Sequence, residues 1–249
     1  MSFSDDEVER YARHLVLREI GGPGQQALKA ARVLMIGAGG LGAPAALYLA
    51  AAGVGHLAIV DPDTVSLSNL QRQVLYGMAD IDKIKVDVAA RRLHRVNPHV
   101  TVEPIVRGLT ADNAAALIAG YDLVLDGCDN FETRFAVNAA CVAAGVPLVS
   151  GAIGRWTGQV GVFDGKPCYR CLVPDAPPDA ETCSAVGVVG ALAGVIGSVM
   201  ALEAIKVITR AGEALTGRLL IYDGLAAEAR TVRIGGDPTC PVCGDAAER

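Results

Sequence analysis

Short apolar runs alternate with longer, mixed ones along the first part of the chain. Val33-Leu34-Met35-Ile36 is apolar throughout and has the length of a strand. It stops at Gly37-Ala38-Gly39-Gly40-Leu41-Gly42, and an Ala- and Leu-rich run over 43–52 follows. A strand buried on both faces reads as an unbroken apolar run, so this stretch predicts strand, tight turn and helix. The alternation then repeats. Strands are predicted at 56–60, 100–106, 121–126 and 146–149, with helices from Asp82 to about Arg95, at 111–119 and at 131–144. Such βαβ alternation predicts a doubly wound, Rossmann-like α/β fold with a mainly parallel sheet.

Both ends depart from this period. Ser4-Asp5-Asp6-Glu7 has the capping-box pattern and opens a helix carrying Arg10-Tyr11-Ala12-Arg13-His14. Gly21-Gly22-Pro23-Gly24 reads as a break before a short helix over 25–30. An arm that precedes the first strand must pack outside the sheet, on a neighbouring surface or on another subunit. Beyond Ser150, strands at 159–163, 218–222 and 229–234 predict an antiparallel extension, with a long helix over 188–210 between them. Residues 174–182, rich in Pro, Asp and Glu, read as an exposed crossover. The whole, 1–249, is expected to be a single domain: an arm over 1–30, a nucleotide-binding half over 31–150 and a second half over 151–249.

Positions 186–202 carry no charge and are marginally long enough to span a bilayer. We expect instead a buried helix and no membrane contact. Gly187, Gly190, Gly194 and Gly197 suit close helix packing, and Glu203, Lys206 and Arg210 return on a helical repeat. The segment also lies between two cysteine pairs that a membrane would separate. A net charge of −5 argues against nucleic-acid binding, which needs a basic footprint. The acidic start has no apolar h-region, so a cytoplasmic protein is expected. Seven cysteines in that setting point to metal rather than disulfides.

The glycine turn carries the first chemistry. Gly37 permits the turn, Gly39 and Gly40 let a phosphate approach the backbone, and Gly42 allows close helix packing. Free N–H groups at the following helix start favour an anion. Asp61 sits at the end of the next strand, about 20 residues on, where a ribose is held. A nicotinamide dehydrogenase would use the same turn, but nothing here singles out its substrate acid or base. Arg13, Arg72 and Lys85 as cations, with Asp129 as a magnesium ligand, fit a triphosphate better. Cys168-x-x-Cys171 and Cys240-x-x-Cys243 are spaced to close a four-cysteine zinc shell, with a disulfide pair or a redox motif as the alternatives. Cys141 reads as core and Cys128 as a small filler. Cys183, after the crossover, is a possible acceptor thiol.

These motifs together resemble the ThiF/MoeB/HesA family, bacterial relatives of ubiquitin-activating enzymes. The likeness is carried by the Arg-Tyr-x-Arg arm ending at Arg13, the glycine turn, Asp61-Pro62-Asp63 and Ser68-Asn69-Leu70-Gln71-Arg72-Gln73. It continues through Lys85, Asp126-Gly127-Cys128-Asp129-Asn130, both cysteine pairs and Glu203-Ala204-Ile205-Lys206. Family members usually read Asp-Cys-Thr-Asp-Asn where this chain has Gly127-Cys128; the acid and the Asn are kept. The resemblance implies ATP- and Mg2+-dependent adenylation of the C-terminal Gly-Gly carboxylate of a ubiquitin-like sulfur carrier, with structural Zn2+. A MoaD-type carrier of molybdenum cofactor synthesis is expected first, and a ThiS-type carrier of thiazole synthesis is the alternative. It implies Asp129 at magnesium, Arg72 and Lys85 at the phosphates, and Asp61 and Asp63 at the ribose side. Asn69, Gln73 and Asn130 orient polar groups, and residues 151–249 bind the carrier and zinc. Arg13 reaches the partner subunit's site, which implies a homodimer, and Cys183 is the place for a covalent intermediate.

Overall fold

The computed structural model of the chain describes residues 2–177 and 187–245. Among them, one sheet runs through β1 (Arg32–Ile36), β2 (His56–Val60), β3 (Thr101–Ile105), β4 (Leu123–Asp126), β5 (Leu148–Gly154), β6 (Thr157–Phe163), β7 (Arg218–Asp223) and β8 (Glu228–Arg233). Its order is β3-β2-β1-β4-β5-β6-β7-β8. Pairing is parallel from β3 to β5 and antiparallel from β5 to β8, as the change of period predicts.

The period of two along each strand sorts the apolar residues into two cores. Val33, Met35, Leu57, Ile59, Leu123 and Leu125 face one side, with α4 (Gly42–Ala52) and α5 (Lys85–Val96). Leu34, Ile36, Ala58, Val60 and Val124 face the other, with α6 (Ala111–Ile118) and α7 (Phe131–Ala144). Unbroken apolar strands are therefore required: each residue is buried, whichever way it points.

A single turn, α8 (Tyr169–Leu172), follows β6. Among the described residues the long apolar helix follows, α9 (Gly190–Thr209), and it is long and apolar enough to cross a membrane. In this fold it packs on α4 and on the backs of β5 and β6, burying Leu192, Ala193, Ile196, Met200 and Ala204. Two of the four expected packing glycines do that work. A Cβ at Gly197 would lie 2.6 Å from Leu41 O, and one at Gly190 would meet Gln71 O, whereas Gly187 and Gly194 face open space.

Two boundaries differ from expectation for identifiable reasons. β5 does not end at Val149. It runs on to Gly154 and turns through Arg155 and Trp156 into β6, which starts before 159. Gly151 and Gly158 look like strand breakers in sequence. Here they leave room for the Met200 and Ile196 side chains, which occupy the space their Cβ atoms would need. The Gly-Gly-Pro-Gly stretch is likewise no break. It forms the first turn of α3 (Gly21–Ala30), where a proline's missing N–H goes unnoticed.

The N-terminal arm lies against its own chain. α1 (Asp5–Arg10) has the expected capping box, and Glu7 also pairs with Lys29 at 2.7 Å. The Tyr11 ring is buried, its hydroxyl accepting from Asn97 Nδ2 at 2.8 Å. The same amide donates to Ala50 O, so one buried Asn ties the arm to the carboxyl ends of α4 and α5. Replacing Gly by Ala in ordinary extended backbone is close to neutral or stabilising. Gly158→Ala should do the opposite, because Ile196 must move, and lower stability by about 1–3 kcal/mol. A denaturant melt with an unchanged midpoint would show that α9 is not in close contact there.

Candidate active site

A cavity of about 590 Å³ opens over the carboxyl ends of β1, β2 and β4. The strand order reverses between β1 and β4, which is where an open α/β sheet leaves a crevice for ligands. The glycine turn forms its floor. Gly37 has φ +89°, and a Cβ there would lie 3.2 Å from the Gly127 carbonyl. A Cβ at Gly42 would collide with Gly37 O, so only Gly lets α4 start this close to the turn. Among the described residues no side chain caps the start of α4. The Ala43 N–H is taken by Gly39 O and Pro44 has none, which leaves the Gly42 N–H and the helix dipole for an anion.

Asp61 and Tyr76 hold this turn from two sides. Asp61 Oδ2 accepts from Ala38 N–H at 2.8 Å, and its Oδ1 accepts from Asp63 N–H at 2.9 Å. Tyr76 donates its hydroxyl to Ala38 O at 2.8 Å. Burial raises the Asp61 carboxyl, with Lys85 and the two N–H groups opposing the shift. Burial, and then the Asp61 charge, push the Tyr76 phenol upward, which keeps it a donor. Tyr76 was not among the residues singled out from sequence. Its partner lies 38 positions away, and no local pattern marks it.

The cations line the same cavity. Lys85 opens α5, where a positive charge opposes the helix dipole. Its side chain compensates by reaching Asp63 Oδ2 at 2.8 Å and lying 3.9 Å from Asp61 Oδ1. Arg72 donates to Ser68 O at 3.1 Å and lays its stem beside Gly40. Asn69 and Gln73 complete this wall. Gln73 is 3% exposed, yet its Oε1 has no hydrogen-bond partner among the described residues. A buried acceptor left open beside a cavity fits a donor group on a bound nucleotide.

The opposite wall is 127–131. Asp129 is exposed on it, while Asn130 Oδ1 accepts from Thr133 N–H at 2.8 Å and so caps α7. Cys128 lines the cavity rather than merely filling space. Burial, then Asp126, raise its thiol well above the usual range, so it stays protonated. Arg134, a second residue not singled out from sequence, lies buried behind this wall. Arg13 is elsewhere. It is exposed on α2 (Ala12–Leu15), and the arm sits at the far end of α4, an 11-residue helix. At 1.5 Å per residue that is about 16 Å from the cavity floor.

The four cysteines converge away from this cavity. Their Sγ atoms all lie within 4.8 Å of one another, with Cys168 to Cys240 at 3.6 Å and Cys171 to Cys243 at 3.4 Å. These separations are too long for a disulfide bond of about 2.05 Å. They approach the edge of a tetrahedron with metal–sulfur bonds of about 2.3 Å. Asn138 Nδ2 points at Cys168 Sγ and the Asp237 N–H at Cys171 Sγ, as outer-shell donors to thiolates do. The cluster is compatible with zinc and leaves no protein-free position for chemistry. Cys141 is buried core, its thiol pushed up to about 12 by burial. Cys183 lies outside the described residues.

Residues 11–242 match the ThiF family. The chain is 47% identical to the sulfur carrier protein adenylyltransferase of Thermus thermophilus, over 98% of this chain and 94% of that one. It is 48% identical to the molybdopterin-synthase adenylyltransferase of Escherichia coli, over 97% and 98%. The SAMP-activating enzyme E1 of Haloferax volcanii is 45% identical, over 98% and 92%. Among solved structures, E. coli MccB with ATP superimposes with a TM-score of 0.83 over 95% of this chain and 75% of that one, at 24% identity. That likeness carries the fold.

The cysteine cluster joins the segment after β6 to the C-terminal tail, across 72 positions. A metal that closes it contributes to folding and takes no part in the cavity. Removing bound metal with a chelator should therefore lower the melting temperature and loosen the tail to proteolysis. An unchanged melt after metal loss verified by elemental analysis would contradict a structural role.

Proposed function

Because the chain belongs to the ThiF family, we propose that it adenylates the C-terminal carboxylate of a ubiquitin-like sulfur carrier, of the MoaD type. The observation that carries this reading is the cavity itself. It gathers Arg72, Lys85, a helix start with no side-chain cap and two exposed carboxylates, Asp63, which pairs with Lys85, and Asp129. That set suits charge neutralisation and positioning, not proton transfer. The carrier type rests on the E. coli relative, a molybdopterin-synthase adenylyltransferase.

The chemistry needs little more. A carboxylate is already an anionic nucleophile at neutral pH. Its oxygen attacks the α-phosphorus of ATP, the bond to the β-phosphate oxygen breaks, and pyrophosphate leaves with that electron pair. The product is an acyl-adenylate. Bound magnesium would supply countercharge to the triphosphate, and Asp129 is the residue to hold it. Arg72 and Lys85 meet the phosphates over Gly39 and Gly40. Asp61 and Asp63 lie on the ribose side, with Asn69, Gln73 and Asn130 as polar groups around the nucleotide. Residues 31–150 hold the nucleotide, and 151–249 bind the carrier and zinc. ATP as co-substrate and unpaired cysteines fit a cytoplasmic enzyme.

Arg13 acts in a second copy of the chain. It sits at the wrong end of α4 to serve its own cavity, so the reading needs a homodimer whose arm 1–30 reaches the partner. Val16 and Leu17, exposed beside it, are apolar residues for such a contact.

Two measurements test the proposal. ATP–pyrophosphate exchange should depend on a purified MoaD-type carrier, and Asp129→Ala should reduce it by about 100-fold or more while the protein stays folded. Exchange with a ThiS-type carrier alone would move the assignment to thiazole synthesis, and exchange with neither would overturn it. Separately, Arg13→Ala and Asp129→Ala proteins, each inactive, should regain about a quarter of wild-type activity when mixed and allowed to exchange subunits. No recovery in a mixture shown to contain heterodimers would rule out Arg13 acting across the interface.

A further inference from the structure

Arg134 lies in the first turns of α7 but turns back into the fold instead of outward. Its Nη1 donates to Asp126 Oδ2 at 3.1 Å and to Ser150 Oγ at 3.0 Å. Its Nη2 donates to Cys128 O at 2.5 Å and to Gly151 O at 2.8 Å. Ser150 Oγ in turn donates to Asp126 Oδ2 at 2.9 Å, and the Cys128 N–H donates to Asp126 Oδ1 at 3.0 Å. One guanidinium thus bridges the end of β4, the loop that follows it, and β5. Arg134, Asp126 and Ser150 are all buried.

The loop's two fixed points flank a single residue. Cys128 is held at its N–H by Asp126 and at its carbonyl by Arg134. Asn130 is held as the cap of α7 through Thr133 N–H at 2.8 Å. Asp129 lies between them, exposed on the cavity wall. A carboxylate on a free loop would sample many positions. A carboxylate between two anchored neighbours is aimed, and an error of about 1 Å at a catalytic group can cost about 100-fold.

We propose that Arg134 is a positioning residue, which fixes the Asp129 carboxylate over the cavity through the Cys128 carbonyl. This rests on the reading of Asp129 as the cation-holding group. The fork geometry is what matters: a guanidinium offers donors to Asp126 and Cys128 at once, and an ammonium cannot reproduce that planar fork. Charge alone is not the point, so Arg134→Lys separates the two. Ser150→Ala removes one neighbour of the fork while keeping the buried ion pair.

The test is nucleotide binding by calorimetry, with and without Mn2+, on the full chain with its metal content verified. For the wild-type protein Mn2+ should strengthen ATP binding, and Asp129→Ala should abolish that gain. Arg134→Lys should cut the Mn2+-dependent gain by about tenfold or more, with metal-free ATP binding changed less than about threefold. Ser150→Ala should cut it by about threefold. A merely structural role would weaken both kinds of binding together. Wild-type cation dependence in folded Arg134→Lys, with Asp129→Ala deficient, overturns the proposal and leaves the reading of Asp129 standing. If Arg134→Lys does not fold, an unaltered cation dependence in Ser150→Ala overturns it. If Asp129→Ala itself keeps the full Mn2+ gain, both the reading and the proposal fall.

Discussion

The contact between the start of α4 and the carbonyl of Gly37 is the constraint on which the site depends. Because Gly42 has no Cβ, the helix begins directly on the turn at the cavity floor. Everything else in the site is placed against that floor. Asp61 and Tyr76 grip Ala38 within the turn, and Arg72 lies along Gly40. The turn also touches the opposite wall, since Gly37 abuts Gly127 at the root of the Asp129 loop. A side chain at position 42 would therefore shift the cavity floor and disturb that wall with it.

The same packing explains why the long apolar helix belongs to the core. α9 presses on α4 through Gly197 and on β5 and β6 through Ile196 and Met200. It backs the helix that starts at the cavity floor, and it packs on the hairpin that continues the sheet. At the other end of α4, Asn97 holds Tyr11, so the arm is fixed to the same helix. α4 thus carries the cavity floor at one end and the arm at the other. Its length is what keeps Arg13 out of its own cavity.

Much of the site was legible in sequence because its signals are local. The glycine turn and each Cys-x-x-Cys are spacings of a few residues, the acid ending the next strand falls at a fixed offset of about 20, and the structure brings each set together. What was not legible is long-range. Gly151 and Gly158 look like breakers until Met200 and Ile196 are seen filling their space. The Gly-Gly-Pro-Gly stretch looks like a break because proline's tolerance depends on falling in a helix's first turn. Tyr76 and Arg134 resemble ordinary helix and loop residues, and their roles lie in backbone carbonyls that no spacing rule marks. Lys85 looked misplaced at a helix start. Asp63, which it pairs with at 2.8 Å, resolves the oddity.

That ion pair bears on how an acidic chain accepts a polyanion. Lys85 is buried and already neutralised by Asp63 and Asp61, so it offers an approaching phosphate less than a full unit of attraction. On the proposed reading the attraction comes from the α4 dipole, Arg72 and a cation brought to Asp129. Such a site discriminates by geometry more than by net field, because each group is held in place before the ligand arrives. The wall opposite the cations obeys the same rule. Cys128, kept protonated by burial and by Asp126, is no nucleophile beside the reacting atoms. The chemistry then stays at phosphorus, where a carboxylate that needs no activation has only to be aimed.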